Sequence, residues 1–206
     1  MVLWRHGQTA WNLEDRFQGS TDVELDHVGR AQADRAARLL ATLAPAAIVS
    51  SDLARARDTA GSLAGLVGLE VGLDPRLRET YGGSWQGRTV GEISAWDREA
   101  YVAWRSGADV PAGGGERRSE VAARVVPAIV DAVADVPAGE TVVVVTHGGS
   151  ARAAIGTLLD LPLDRWAVVG GLANCCWSVL EETGPPWRLV EHNAGSLPEP
   201  VMGDEE

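Results

Sequence analysis

Two histidines stand in the same local setting. His6 follows Arg5 at the end of the apolar run Val2-Leu3-Trp4 and precedes Gly7, while His147 follows the β-favouring run over residues 140–146 and precedes Gly148-Gly149. Each reads as a buried strand that stops at an imidazole just where the backbone is free to turn. In open α/β sheets ligands bind beyond the carboxyl ends of the strands, and glycine lets the backbone approach a ligand closely. Neutral imidazole is a competent nucleophile near pH 7, and arginine offers a permanent, fork-shaped donor suited to phosphate. Together Arg5 and His6 can hold and attack a phosphoryl group. A third group joins them: Arg55, in the first turn of a helix capped by Ser50-Ser51-Asp52, lies where free N–H groups and the positive dipole end gather above the sheet.

The elements that must position these groups follow from periodicity. Besides the two strands already named, residues 46–49 and 70–73 read as short strands. Asp26 is expected to cap a helix whose apolar residues Val28, Ala31, Ala36, Leu39, Leu40 and Leu43 recur at helical spacing until Pro45. The helix after Ser50-Ser51-Asp52 runs through Leu53, Ala56, Ala60, Leu63 and Leu66. Residues 90–105 predict one helix with Ile93, Trp96, Tyr101 and Trp104 as its core face. Residues 116–136 predict another, kinked at Pro127, and Ser150 opens a last one through Leu159. Residues 11–22, 76–87 and 111–115 read as loops, the first two crossing the strand ends, where function is often carried. Residues 173–180 and 187–191 are expected to pair as an edge hairpin around Gly184-Pro185-Pro186. The expected fold class is α/β: a three-layer α/β/α sandwich with a mostly parallel central sheet and an antiparallel edge hairpin.

Composition removes several function classes. At 206 residues and 45% hydrophobic content the chain can bury one well-formed core. A net charge of −11 argues against nonspecific nucleic-acid binding, which needs a basic stripe. No apolar run approaches the roughly 20 residues that span a bilayer, so no membrane partner is expected and the protein is placed in the cytoplasm. The adjacent Cys175 and Cys176 suggest neither a disulfide framework nor a zinc site. All 18 basic residues are arginine, so no step can use lysine.

Five motifs in order carry a resemblance. Arg5-His6-Gly7-Gln8-Thr9, Phe17-Gln18-Gly19, the Ser50–Ala56 segment, Leu77-Arg78-Glu79 with Gly83-Ser84-Trp85-Gln86-Gly87, and Thr146-His147-Gly148-Gly149 look like the successive motifs of the histidine phosphatase superfamily, the phosphoglycerate mutase-like proteins. The resemblance covers nearly the whole chain and implies a histidine phosphatase domain over residues 1–196, followed by an acidic tail at 197–206 that is expected to be disordered. It implies that His6 is the phosphorylated nucleophile, that Arg5, Arg55 and His147 grip the transferred phosphoryl group, and that Glu79 is the proton donor and acceptor. Gly7, Thr9, Asn12, Gln18, Gly19 and Gly148 would line the same pocket. Phosphoryl transfer needs positioning and charge stabilisation more than covalent help, and these cations supply both without a metal or other cofactor.

Two departures separate the chain from the mutases of that superfamily. The stretch between Gly87 and Pro111 lacks their long insertion, and Val90 stands where they carry a lysine, so grips on a second anionic group are expected to be missing. The Leu77-Arg78-Glu79 loop with Trp85 resembles the phosphatase branch instead. Ala103-Trp104-Arg105, Gly114-Gly115-Glu116, Asn174 and Trp177 are similar to features of actinobacterial glucosyl-3-phosphoglycerate phosphatases. The expectation is therefore a metal-independent phosphatase acting on small phosphomonoesters. A bisphosphoglycerate-dependent mutase is the alternative, and a catalytically silent binding module is disfavoured by the intact His6 and Glu79. A dinuclear metal hydrolase has legal ligands in two histidines and a glutamate, but no Asp/His cluster at metal spacing accompanies them. A homodimer is compatible with the sequence, which does not fix an oligomeric state.

Overall fold

The computed structural model describes residues 1–195; the tail expected at 197–206 lies outside the described residues. Strand β1 (Val2–Arg5) leads through a short helix, α1 (Ala10–Leu13), and a loop to helix α2 (His27–Ala41), strand β2 (Ala47–Ser50), helix α3 (Ala54–Val67) and strand β3 (Val71–Leu73). Helices α4 (Val90–Trp96), α5 (Arg98–Arg105) and α6 (Arg118–Ala134) precede strand β4 (Val142–Thr146) and helix α7 (Gly148–Leu158). Strands β5 (Trp177–Glu181) and β6 (Arg188–Ala194) close the chain.

The six strands form one sheet in the order β3-β2-β4-β1-β5-β6. The first four are parallel, whereas β5 runs antiparallel to β1 and β6 antiparallel to β5, giving the expected edge hairpin. Strand β4 lies at the centre with all five residues buried. Its valines suit a strand covered on both faces, where β-branched side chains pack without an alternating polar set. Alternation still divides the core: Leu3, Val142 and Val144 face α6 and α7, while Val2, Trp4, Val143 and Val145 face α2 and α3. On the second face Ala33, Ala36 and Ala37 meet Ala56 and Ala60, small residues that let two helices sit close together. The layers are thus those of the expected α/β/α sandwich, and β1 and β4, side by side, deliver Arg5, His6 and His147 to one edge.

Four local expectations are corrected. The single helix over 90–105 is broken at Asp97 (φ −130°, ψ 48°), whose carboxylate accepts a 2.8 Å bond from the Trp85 indole. The proposed core face splits with it: Ile93 and Tyr101 are buried, but Trp96 is 58% exposed under the Arg88 guanidinium. The cap of α3 is not supplied by Ser50-Ser51-Asp52; the N-cap is Leu53, and Asp22 from the loop between α1 and α2 accepts from the Ala54 N–H at 2.7 Å. Strand β5 starts at Trp177 rather than 173, because residues 173–176 form a turn with Cys175 at φ +56°. Asp26 does cap α2, accepting from the Gly29 N–H at 2.7 Å. Among the described residues no helix is long and apolar enough to cross a membrane.

Candidate active site

The geometry of His6 follows from a backbone locked on every side. Its N–H donates to the Thr146 carbonyl of β4 at 3.0 Å, and its ring Nδ1 lies 2.7 Å from the Gly7 carbonyl. A carbonyl can only accept, so Nδ1 carries the proton and Nε2 keeps its lone pair. Asn174 donates its amide to the His6 and Gly7 carbonyls at 3.1 and 3.2 Å. The Gly7 N–H donates to Thr59 Oγ1, which in turn donates to the Arg55 carbonyl. No side chain fits at Gly7, since a Cβ would stand 2.5 Å from the Gly29 carbonyl where α2 crosses the strand end. Burial, reinforced by Arg55 and Arg5, holds the imidazole well below its ordinary titration range, so His6 is neutral at pH 7.

The neighbouring arginines are oriented by carbonyls rather than carboxylates. Arg5 donates from Nη1 to the Leu172 carbonyl at 2.6 Å. Fully buried Arg55 donates from Nη1 to Thr21 and from Nη2 to Gly19, at 2.8 and 2.7 Å. Carbonyls fix the direction of a guanidinium without neutralising it. The Nε atoms of both residues are buried with no partner among the described residues. Burial pushes Arg55 down to about 10, and it remains a cation at neutral pH.

His147 lies behind His6, fully buried, with ring centroids 5.1 Å apart. Its Nε2 lies 2.9 Å from Ser51 Oγ, which also accepts from the Leu53 N–H. The hydroxyl has a hydrogen and a second lone pair left, so it holds His147 Nε2 in place in either tautomer of the ring. His147 Nδ1 has no partner among the described residues. Burial, followed by the charge of Arg55, holds this ring well below its usual range as well. Glu79 sits at the N-terminus of α7, accepting from Gly149 N–H at 2.9 Å, Ser150 N–H at 3.1 Å and Thr80 N–H at 2.8 Å. Helix N-termini favour anions. Gly149 makes the approach possible, because a Cβ there would lie 2.5 Å from Glu79 Oε1.

Comparison with known proteins then decides the family. Residues 1–195 match the profile of the histidine phosphatase superfamily (branch 1). The chain belongs to that superfamily. It is 42% identical over 211 residues to the glucosyl-3-phosphoglycerate phosphatase of Mycobacterium tuberculosis H37Rv, covering 95% of each chain. The solved mycobacterial glucosyl-3-phosphoglycerate phosphatase in complex with VO3 superposes with a TM-score of 0.89 at 44% identity, covering 95% of this chain and 98% of that one. Phosphoglycerate mutase-like protein 4 of Arabidopsis thaliana is 43% identical over 157 residues, covering 74% of this chain and 67% of that protein. The chain is a phosphatase, a hydrolase of phosphomonoesters, and the mutase alternative has less support.

Within this histidine phosphatase a cavity of about 280 Å³ brings Arg5, His6, Asn12, Gln18, Gly19, Arg55, Glu79 and Gly148 together. Three sequence-predicted residues do not line it. Gly7 packs against α2, Thr9 is buried as the N-cap of α1, and His147 stands in a second layer behind His6. Thr9 acts through Asn12, whose carbonyl oxygen it and its own N–H hold at 3.0 Å. Residues not foreseen as site members complete the walls: Arg16, Thr80, Trp104, Arg118, Arg152 and Trp166, with Ser51 and Asn174 acting from behind. Val90 is 41% exposed and stands outside the cavity wall. Among the described residues no three His, Cys, Asp or Glu side chains gather as metal ligands.

Proposed function

We propose that this phosphatase hydrolyses glucosyl-3-phosphoglycerate or a closely similar phosphorylated glycerate through a phosphohistidine on His6. The observation that carries the mechanism is a neutral imidazole with Nδ1 tied to the Gly7 carbonyl and its lone pair at Nε2, next to two carbonyl-oriented arginines. The substrate assignment is supported by the mycobacterial relatives, one of them solved with VO3.

In the first step His6 Nε2 attacks phosphorus in line with the ester oxygen. The N–P bond forms, the P–O bond breaks, and Glu79, protonated when the dianionic ester closes on it as a like charge, passes its proton to the departing alkoxide. Arg5 and Arg55, the cations that line the cavity beside His6, hold the equatorial oxygens, with His147 packed behind His6, while the Asn12 amide and Gln18 close the rim. In the second step water attacks the phosphohistidine. Glu79, now a carboxylate, takes its proton; the N–P bond breaks, its electron pair returns to Nε2, and inorganic phosphate leaves. We extend the proposal to a cytoplasmic location, because Cys175 and Cys176 are both free thiols, as expected in a reducing compartment.

Rapid quench with radiolabelled substrate should trap acid-labile, base-stable label, and His6→Ala should lower kcat by at least about 10⁴. On a panel of phosphorylated metabolites, glucosyl-3-phosphoglycerate should give the highest kcat/KM. Turnover should persist in EDTA. Full activity in His6→Ala, or bisphosphoglycerate-dependent mutase flux exceeding phosphate release in an enolase-coupled assay, would overturn the reading.

A further inference from the structure

The wall of the cavity formed by α6, α7 and the segment before β5 carries two arginines that the chemistry above does not use. Arg118 opens α6 and Arg152 lies one turn into α7; both are partly buried and both line the cavity. Among the described residues neither has a carboxylate within 4 Å, and Arg152 Nε is buried with no partner. Elsewhere around the same loops the opposite holds: Arg76 pairs with Asp74, Arg78 with Asp52 and Arg124 with Glu116. Two partly desolvated cations sharing a wall without a direct ion pair, Asp109 and Glu79 acting on them only from beyond 4 Å, cost stability.

Their placement is specific. Gly148 and Gly149, in the first turn of α7, stand against Arg5 and Glu79 at the phosphoryl end. Arg152 follows one turn later, about 6 Å along the helix axis. Gly171 clears its path, since a Cβ there would lie 3.1 Å from Arg152 Nη2. The Arg118 guanidinium is stacked over Trp104 at 4.6 Å. Trp104 is in turn held edge-on by Phe17 and Trp85 and stacked on Tyr101. The Trp104 indole N–H is buried and has no acceptor among the described residues.

We propose that Arg118 and Arg152 form an anion subsite for a carboxylate on the alcohol part of the substrate, with Trp104 as the positioning residue of Arg118. The inference rests on the phosphatase reading for its phosphoryl end. In a phosphorylated glycerate the carboxylate lies three bonds beyond the ester oxygen, which suits a cation one helical turn past the phosphoryl end.

The test compares 3-phosphoglycerate with glycerol 3-phosphate, which carries a hydroxymethyl group in place of the carboxylate. Binding is measured by calorimetry on His6→Ala protein, which holds the ester without turning it over. The expected result is a preference of about tenfold or more for 3-phosphoglycerate, weakening with added salt. Adding Arg118→Met and Arg152→Met together should bring the two ligands within about twofold, and the Arg118→Lys/Arg152→Lys pair should restore part of the preference. Equal binding of both ligands, or a preference that survives in a folded double-methionine protein, would overturn the subsite. Phosphate release from p-nitrophenyl phosphate by the protein with His6 intact judges the phosphatase reading separately, because the binding comparison needs no turnover.

Discussion

His6, Arg55 and His147 are 3%, 0% and 0% exposed, whereas Arg118 and Arg152 on the facing wall remain partly open to solvent, and the two regions hold their cations by different means. At the phosphoryl end the guanidinium of Arg55 is aimed by the Gly19 and Thr21 carbonyls, and the histidine backbone is fixed by Thr146, Thr59 and Asn174. On the wall Arg118 rests on the Trp104 face with one bond to the Ala108 carbonyl at 3.1 Å, and Arg152 has no hydrogen-bonded partner among the described residues. Main-chain anchors fix a charge in place before substrate arrives, which suits a transition state that cannot wait for reorganisation. Stacked side chains can be exchanged without moving the backbone. The difference teaches where this phosphatase can change substrate while keeping its chemistry: on α5, α6 and α7 rather than at the strand ends.

The largest effect that would sharpen this contrast is expected at Arg55. Arg55→Met removes a buried cation and also leaves the Gly19 and Thr21 carbonyls unpartnered, so kcat/KM should fall by about 10³ on every ester, alkyl or aryl. A loss confined to one substrate class would place Arg55 with the wall instead. Next comes Glu79→Gln, which keeps one oxygen for the Ser150 and Thr80 N–H groups, gives up the one that accepts from Gly149, and cannot transfer a proton. Alkyl phosphates should slow by about 10² to 10³ and p-nitrophenyl phosphate by far less, because its phenolate leaves unassisted. Equal losses would show that Glu79 acts through structure alone.

A smaller effect is expected from Ser51→Ala, which touches no substrate. Without the hydroxyl His147 Nε2 loses its hydrogen-bond partner and the ring behind His6 is no longer held, so kcat should drop by about tenfold with KM little changed; Ser51→Thr should recover most of it. The smallest concerns pH. Burial, with Arg55 and Arg5, lowers the pKa of His6, so its neutral form persists as pH falls through 6.5. After correction for substrate ionisation kcat/KM should stay flat between pH 7.5 and 6. On the alkaline side Arg55, pushed down to about 10 by burial, loses its charge as pH rises through that value, and kcat/KM should decline there. An acid limb centred near 6.5 would mean that His6 is more solvated than its 3% exposure indicates.

Much of the phosphoryl end was legible in the chain because its groups ride on short, continuous motifs. Strand β4 ends one residue past its valine run, and the glycines after His6 and His147 mark the close approaches seen at the Gly29 backbone and the Glu79 side chain. Thr9 illustrates the limit: the motif names it, but its hydroxyl caps α1 and holds Asn12 instead of lining the cavity. Ser51 was visible only as a helix cap, since nothing local says that a residue 96 positions later will share its hydroxyl. The break at Asp97 escaped periodicity for the same reason, because the Trp85 indole that bonds it belongs to another loop.

By itself, then, the sequence determined the fold class, the family and which residue types meet at the strand ends, because buried strands and glycine turns are written in local residue types that tolerate few alternatives. What only the tertiary structure decided was the direction of the His6 proton and the far wall of the cavity. The tautomer of His6 and the hold on His147 depend on a carbonyl and a hydroxyl whose positions are set by packing. The pairing of Arg118 with Arg152 depends on α6 lying against α7, and the seat of Arg118 on a cluster gathered from Phe17, Trp85, Tyr101 and Trp104. An arginine on a helix reads the same in sequence whether it meets water, a carboxylate or a substrate, since its long side chain takes its role from whatever the fold brings within reach.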